Sequence, residues 1–141
     1  MATRIGPAVN KQEIDEILSN SAFARIYDFR VQSIGEGECV LNIPFNEAIE
    51  RPGGIVAGSV FMTAADIAMW FAIMTKLGKD VMTVTTEMKT AFLSSATRED
   101  VLCTAKILKL GRTLIYGVAE CNNIAGKLLT HHTITYIRTS R

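Results

Sequence analysis

Apolar positions recur at helical spacing first near the N-terminus. Ile14, Ile17 and Leu18 fall on one face of residues 10–20, and Asn10 and Glu13 have capping-box separation, which predicts a short amphipathic helix. The period then changes to two. Tyr27, Phe29 and Val31 alternate with Asp28, Arg30 and Gln32, the pattern of a half-buried strand, and Gly35-Glu36-Gly37 predicts a turn. Cys39, Leu41, Ile43 and Phe45 share a face of the returning strand, and Pro44 places its end near an edge or bend. A loop follows over residues 46–55, with Pro52, Gly53 and Gly54.

From about Gly58 to Leu77 the chain is apolar on every side, which predicts a buried helix about 30 Å long, stopped by Gly78. Four strands are predicted after it, over 81–92, 101–110, 113–121 and 128–138, separated by a loop at 94–100, by Gly111-Arg112 and by Asn122, Asn123 and Gly126. Strands joined by tight turns form an antiparallel sheet. One long helix without a polar face is buried only if that sheet curls around it, with a partner subunit covering the remainder. The expected class is α+β, with about six antiparallel strands around one central helix and a short N-terminal helix. Without repeats or linkers, residues 1–141 read as a single domain with its core at about 25–138.

Composition narrows the function. A net charge of +1 gives no reason to expect nucleic-acid binding. Cys39, Cys103 and Cys121 are odd in number and lack metal-site spacing, so neither a disulfide framework nor a zinc site is expected. Buried thiols and an N-terminus without an apolar signal core fit the cytoplasm. Residues 55–75 approach membrane-spanning length, but Asp66 at their centre and strands on both flanks favour a buried helix.

Asp66 is the most informative residue. A carboxylate in a helix expected to be buried needs either a bonding partner or a chemical role. The first would be a backbone or hydroxyl group, and the second would be service as general base or nucleophile. Gly58-Ser59 is the second feature. Gly53, Gly54 and Gly58 cluster before the helix, whose first N–H groups suit a developing oxyanion, although ordinary turn and cap chemistry uses the same residues. Gly58 and Asp66 are eight residues apart, hence about 12 Å along the axis. Both cannot reach one carbonyl from a single chain, so a catalytic role for both requires an oligomer. Thr85 and Thr86 could orient water or the carboxylate, or serve as strand formers. His131 and His132, adjacent in a strand, face opposite ways and make a poor metal pair. Arg112, with Lys109, Lys106 and Arg98, could meet phosphates. Met62, Met69 and Met74 read as core, and Trp70 and Phe71 as either pocket or core.

Gly54-Ile55-Val56-Ala57-Gly58-Ser59, then six residues and Asp66, resembles the signature of hotdog thioesterases of the phenylacetic acid degradation type, Gly-x-x-His-Gly-Gly followed by a helix with Leu-Ala-Asp. Val84-Thr85, Ala91 to Ala96 and the Gly111-Arg112 turn resemble further parts of that family, from about residue 25 to 137. The resemblance implies a hotdog fold, a dimer or tetramer with sites at the subunit interface, and hydrolysis of acyl-coenzyme A. It implies Asp66 as base or nucleophile, the Gly58 N–H as oxyanion donor from the other subunit, and Thr85 as the supporting hydroxyl. It implies substrate contacts at Ala57, Ser59 and Arg51, where the family carries His, Gly and often Asn, with Arg112 near a phosphate. No cofactor or metal is implied beyond coenzyme A in the substrate, and no nucleic-acid or membrane partner. The alternatives are a hotdog hydratase or dehydratase, which wants a His paired with an acid, and a non-catalytic acyl-CoA binding module.

Overall fold

The computed structural model describes residues 6–139, the side chain of Phe23 excepted. The start of the polar N-terminus therefore lies outside the described residues. Helix α1, Lys11–Asn20, begins with the expected capping box: Asn10 Oδ1 accepts from the Glu13 N–H at 2.8 Å and Glu13 Oε1 from the Asn10 N–H at 3.0 Å. Ile14 and Leu18 are its buried stripe.

The first strand starts later than its alternation suggests. A short helix α2, Ala22–Arg25, comes first, and Asp28 takes a left-handed φ of 55°. Only then does β1, Arg30–Gly35, pair with β2, Glu38–Ile43. Tyr27 stacks on Phe29 at 5.1 Å instead of extending the ladder. The 46–55 loop contains a 3₁₀ turn, Glu47–Ile49, and a two-stranded ribbon of β3, Glu50–Arg51, with β4, Ile55–Val56. Helix α3, Gly58–Leu77, follows and ends at Gly78, whose φ of 83° suits glycine.

Strands β5, Thr83–Phe92, β6, Val101–Leu110, β7, Leu114–Asn123, and β8, Leu128–Arg138, complete one six-stranded antiparallel sheet in the order β1-β2-β6-β7-β8-β5. The sheet wraps α3 as a hotdog fold. Alternate residues such as Leu41, Cys103, Ile115 and Ile134 point inward against the helix. Helix α3 is long and apolar enough to cross a membrane, yet most of it is buried inside this sheet. The last strand in the chain, β8, lies between β7 and β5, so β5 is an edge strand.

Helix and sheet approach closely at Gly117, in β7. A Cβ there would collide with Met69 of α3 and sit 2.5 Å from the Lys106 carbonyl oxygen. Gly117→Ala is therefore expected to destabilise the protein by about 1–3 kcal/mol in chemical denaturation, as overpacking does. An unchanged unfolding midpoint would mean that neither Met69 nor the Lys106 carbonyl crowds this position.

Candidate active site

The sheet leaves one stripe of α3 uncovered. Ser59, Met62, Thr63, Asp66 and Trp70 recur at helical spacing along it and are all exposed or half-buried. Asp66 is thus not sealed in the core, and Met62 stands at its lip rather than in the core with Met69 and Met74. Trp70 belongs to the same cavity, whereas Phe71, stacked on it at 5.1 Å, is fully buried.

The cavity over Asp66 holds about 720 Å³, and Met62, Ile67, Trp70, Val84 and Met88 make its walls mostly apolar. Two hydroxyls converge on one carboxylate oxygen. Thr85 Oγ1 donates to Asp66 Oδ1 at 2.7 Å, and Tyr136 Oη donates to the same atom at 2.6 Å. No hydrogen bond from the described residues engages Oδ2, which is not a buried orphan either, so it faces the cavity. Tyr136 is buried. Burial first, then the negative charge of Asp66, pushes its phenol far above the ordinary tyrosine range, so it remains a proton donor.

A bulge supplies the geometry. Thr85 pairs with Tyr136 but Glu87 pairs with Thr135, leaving Thr86 as the extra residue. Thr85 and Met88 therefore both point inward, while the Thr86 hydroxyl turns to the Thr135 carbonyl. Sequence reasoning found Thr85 and missed Tyr136. Its only local signal was an inward position in the last strand.

Gly58 opens elsewhere, on a cavity of about 310 Å³ shared with Arg51, Phe61, Phe92 and Ser94. Ala57 is the N-cap, with φ −63° and ψ 139°, and offers no side-chain cap. The Gly58 N–H finds no acceptor among the described residues. Ser59 is exposed, and its carbonyl takes the Thr63 hydroxyl at 3.0 Å. The Asp66 and Gly58 cavities share no lining residue. Arg112 lies in a third hollow of about 810 Å³ with Lys109, Leu114 and Tyr116. Neither Arg112 nor Lys109 has a carboxylate partner among the described residues.

His131 and His132 do face opposite ways. His131 approaches Glu120 at 3.9 Å, and fully buried His132 is flanked by the Thr90 and Thr130 hydroxyls at 2.8 Å each. Neither lines the Asp66 cavity. The three cysteines are free and buried, and burial, with Asp15 and Glu38, pushes the Cys39 thiol up to about 12.

The thioesterase superfamily profile matches residues 53–138, from the glycine loop to the end of the sheet. The chain belongs to the thioesterase superfamily, and with it to the hydrolases of acyl thioesters in general. A Saccharolobus solfataricus protein provisionally named an esterase is 32% identical over 117 residues, 82% of each chain. Zebrafish thioesterase superfamily member 2 is 28% identical and superimposes with a TM-score of 0.85 over 92% of this chain and 99% of its own. The Escherichia coli PaaI protein of the phenylacetic acid degradation operon shares the fold, with a TM-score of 0.82 at 18% identity over 92% of each chain.

Proposed function

We infer that this protein hydrolyses acyl-coenzyme A thioesters, as a dimer or a pair of dimers of the phenylacetic acid degradation type. The observation that carries this reading is Asp66, a half-buried carboxylate in an apolar cavity with one oxygen held and the other open. As general base, Oδ2 takes a proton from water as the water oxygen attacks the thioester carbonyl carbon. The resulting oxyanion needs a donor, which the Gly58 N–H of a second copy supplies. When the tetrahedral intermediate collapses, the C–S bond breaks and the thiolate recovers the proton from Asp66, leaving a free acid and a thiol. Direct attack by Oδ2 on the carbonyl uses the same geometry. Thr85 holds the carboxylate in either case.

The edge position of β5 supports the second copy. Its Thr85 end adjoins Asp66, and its Phe92 end adjoins Gly58, where a Cβ would lie 3.1 Å from the Phe92 ring. Antiparallel pairing of β5 with its own copy sets the Phe92 end of one chain beside the Thr85 end of the other. Val84, Phe92 and Leu93, each about half exposed, give that edge an apolar rim. Arg51, Ala57 and Ser59 then border the substrate at the Gly58 end. Arg112 and Lys109 are suited to phosphates of coenzyme A. The reduced, buried cysteines fit a cytoplasmic setting.

Release of free thiol from a panel of acyl-CoAs tests this function. The expected result is turnover by the wild type that Asp66→Ala removes. Tight binding without turnover would favour the non-catalytic module. Water addition to an enoyl-CoA would favour the hydratase, against which the absence of both histidines from the cavity lining already argues.

A further inference from the structure

The Tyr136 hydroxyl touches Asp66 twice, donating to Oδ1 at 2.6 Å and to the backbone carbonyl oxygen of the same residue at 2.9 Å. One donor thus ties the tip of the side chain to the turn of α3 that bears it. Rotation of the carboxylate about its side-chain torsions breaks at least one of these contacts. Thr85 Oγ1, arriving from the neighbouring strand, lands on the same Oδ1 at 2.7 Å. Thr85 and Tyr136 are register partners across β5 and β8, so their spacing is set by the sheet ladder rather than by loop geometry.

We propose that Tyr136 is the positioning residue of this site, fixing Asp66 so that Oδ1 is occupied and Oδ2 alone is presented to the reacting group. Its consequence for turnover rests on the hydrolase reading above, whereas its effect on the carboxylate does not. Phenylalanine would pack in the same space. The hydroxyl is what sets tyrosine apart: buried, and with Asp66 as its acceptor. Besides Asp66, Tyr136 is the only titratable group lining the cavity among the described residues. Arg138, further along β8, sends its guanidinium to the Gly111 carbonyl instead, and Glu87 of β5 is exposed in register with Thr135.

Tyr136→Phe tests the proposal by two independent readouts. In steady-state kinetics with an acyl-CoA, kcat should fall about 10- to 100-fold, the range for one hydrogen bond to a charged group. KM should stay within about threefold, because the lost contact is to the enzyme's own carboxylate and not to substrate. Thr85→Val, which removes the other donor to Oδ1, should resemble Tyr136→Phe. The second readout needs no turnover: in crystal structures the Asp66 carboxylate should hold one orientation in wild type and spread over more than one in Tyr136→Phe. A lowered Tm with unchanged kcat and an unchanged Asp66 orientation would make Tyr136 merely structural and overturn the proposal. A wild type that releases no thiol, together with a carboxylate that loses its single orientation in Tyr136→Phe, would remove the hydrolase reading and leave the positioning role standing.

Discussion

Gly58→Pro is expected to lower kcat about 100- to 1,000-fold, the loss seen when one oxyanion donor is deleted, while the protein still folds. Proline suits this position. Gly58 is the first residue of α3, where the missing N–H breaks no helical bond. Ala57 before it already has the extended φ and ψ that a following proline demands. The added Cβ meets only the edge of the Phe92 ring, at 3.1 Å, a side chain rather than backbone. Gly58→Ala is the matched control, because it adds the same Cβ and keeps the N–H. Steady-state kinetics of both variants, with Tm and oligomeric size measured alongside, separate donor loss from crowding. Equal losses in alanine and proline would put the effect in the Phe92 contact and leave the amide without a role.

Asp66→Asn should lower turnover at least about 100-fold, because the amide keeps the shape of the side chain but takes no proton. The larger effect comes from mixing. If the carboxylate of one subunit works with the amide of the other, a dimer of one Asp66→Asn chain and one Gly58→Pro chain has one doubly damaged site and one intact site. Equal amounts, refolded together, give heterodimers in half of all pairs, so activity should return to about 25% of wild type from two nearly dead parents. The distance behind this is simple: eight helical residues are about 12 Å, beyond the reach of one carbonyl. Silence from the mixture, with heterodimers shown to be present, would place the whole site within one chain.

Much of this arrangement was legible in the sequence because it is written in local periods. The switch from period two to an unbroken apolar stretch and back marked α3 between its sheet strands, and Gly78 and Gly35-Glu36-Gly37 marked ends and turns. The capping box at Asn10 is a contact three residues long. Asp66 stood out because a carboxylate is costly in such a helix, and the resemblance pointed to Thr85. The start of β1 was less readable. Alternation at Tyr27 looks like a strand, but the left-handed φ of Asp28 and the Tyr27–Phe29 stack divert the chain until Arg30.

The long central helix with a hairpin before it and four strands after it, the inward face of the returning strand β2 and the existence of a charged residue on that helix were determined by the sequence alone, since each depends on neighbours within a turn or two. Tertiary structure decided what Asp66 meets. Tyr136 lies 70 residues away and reaches the carboxylate only because β8 inserts between β7 and β5. The extra residue at Thr86 keeps both Thr85 and Met88 pointing inward, a facing that strict alternation cannot give. Strand order and bulges are settled by packing across the whole sheet, and no short window of sequence carries that information.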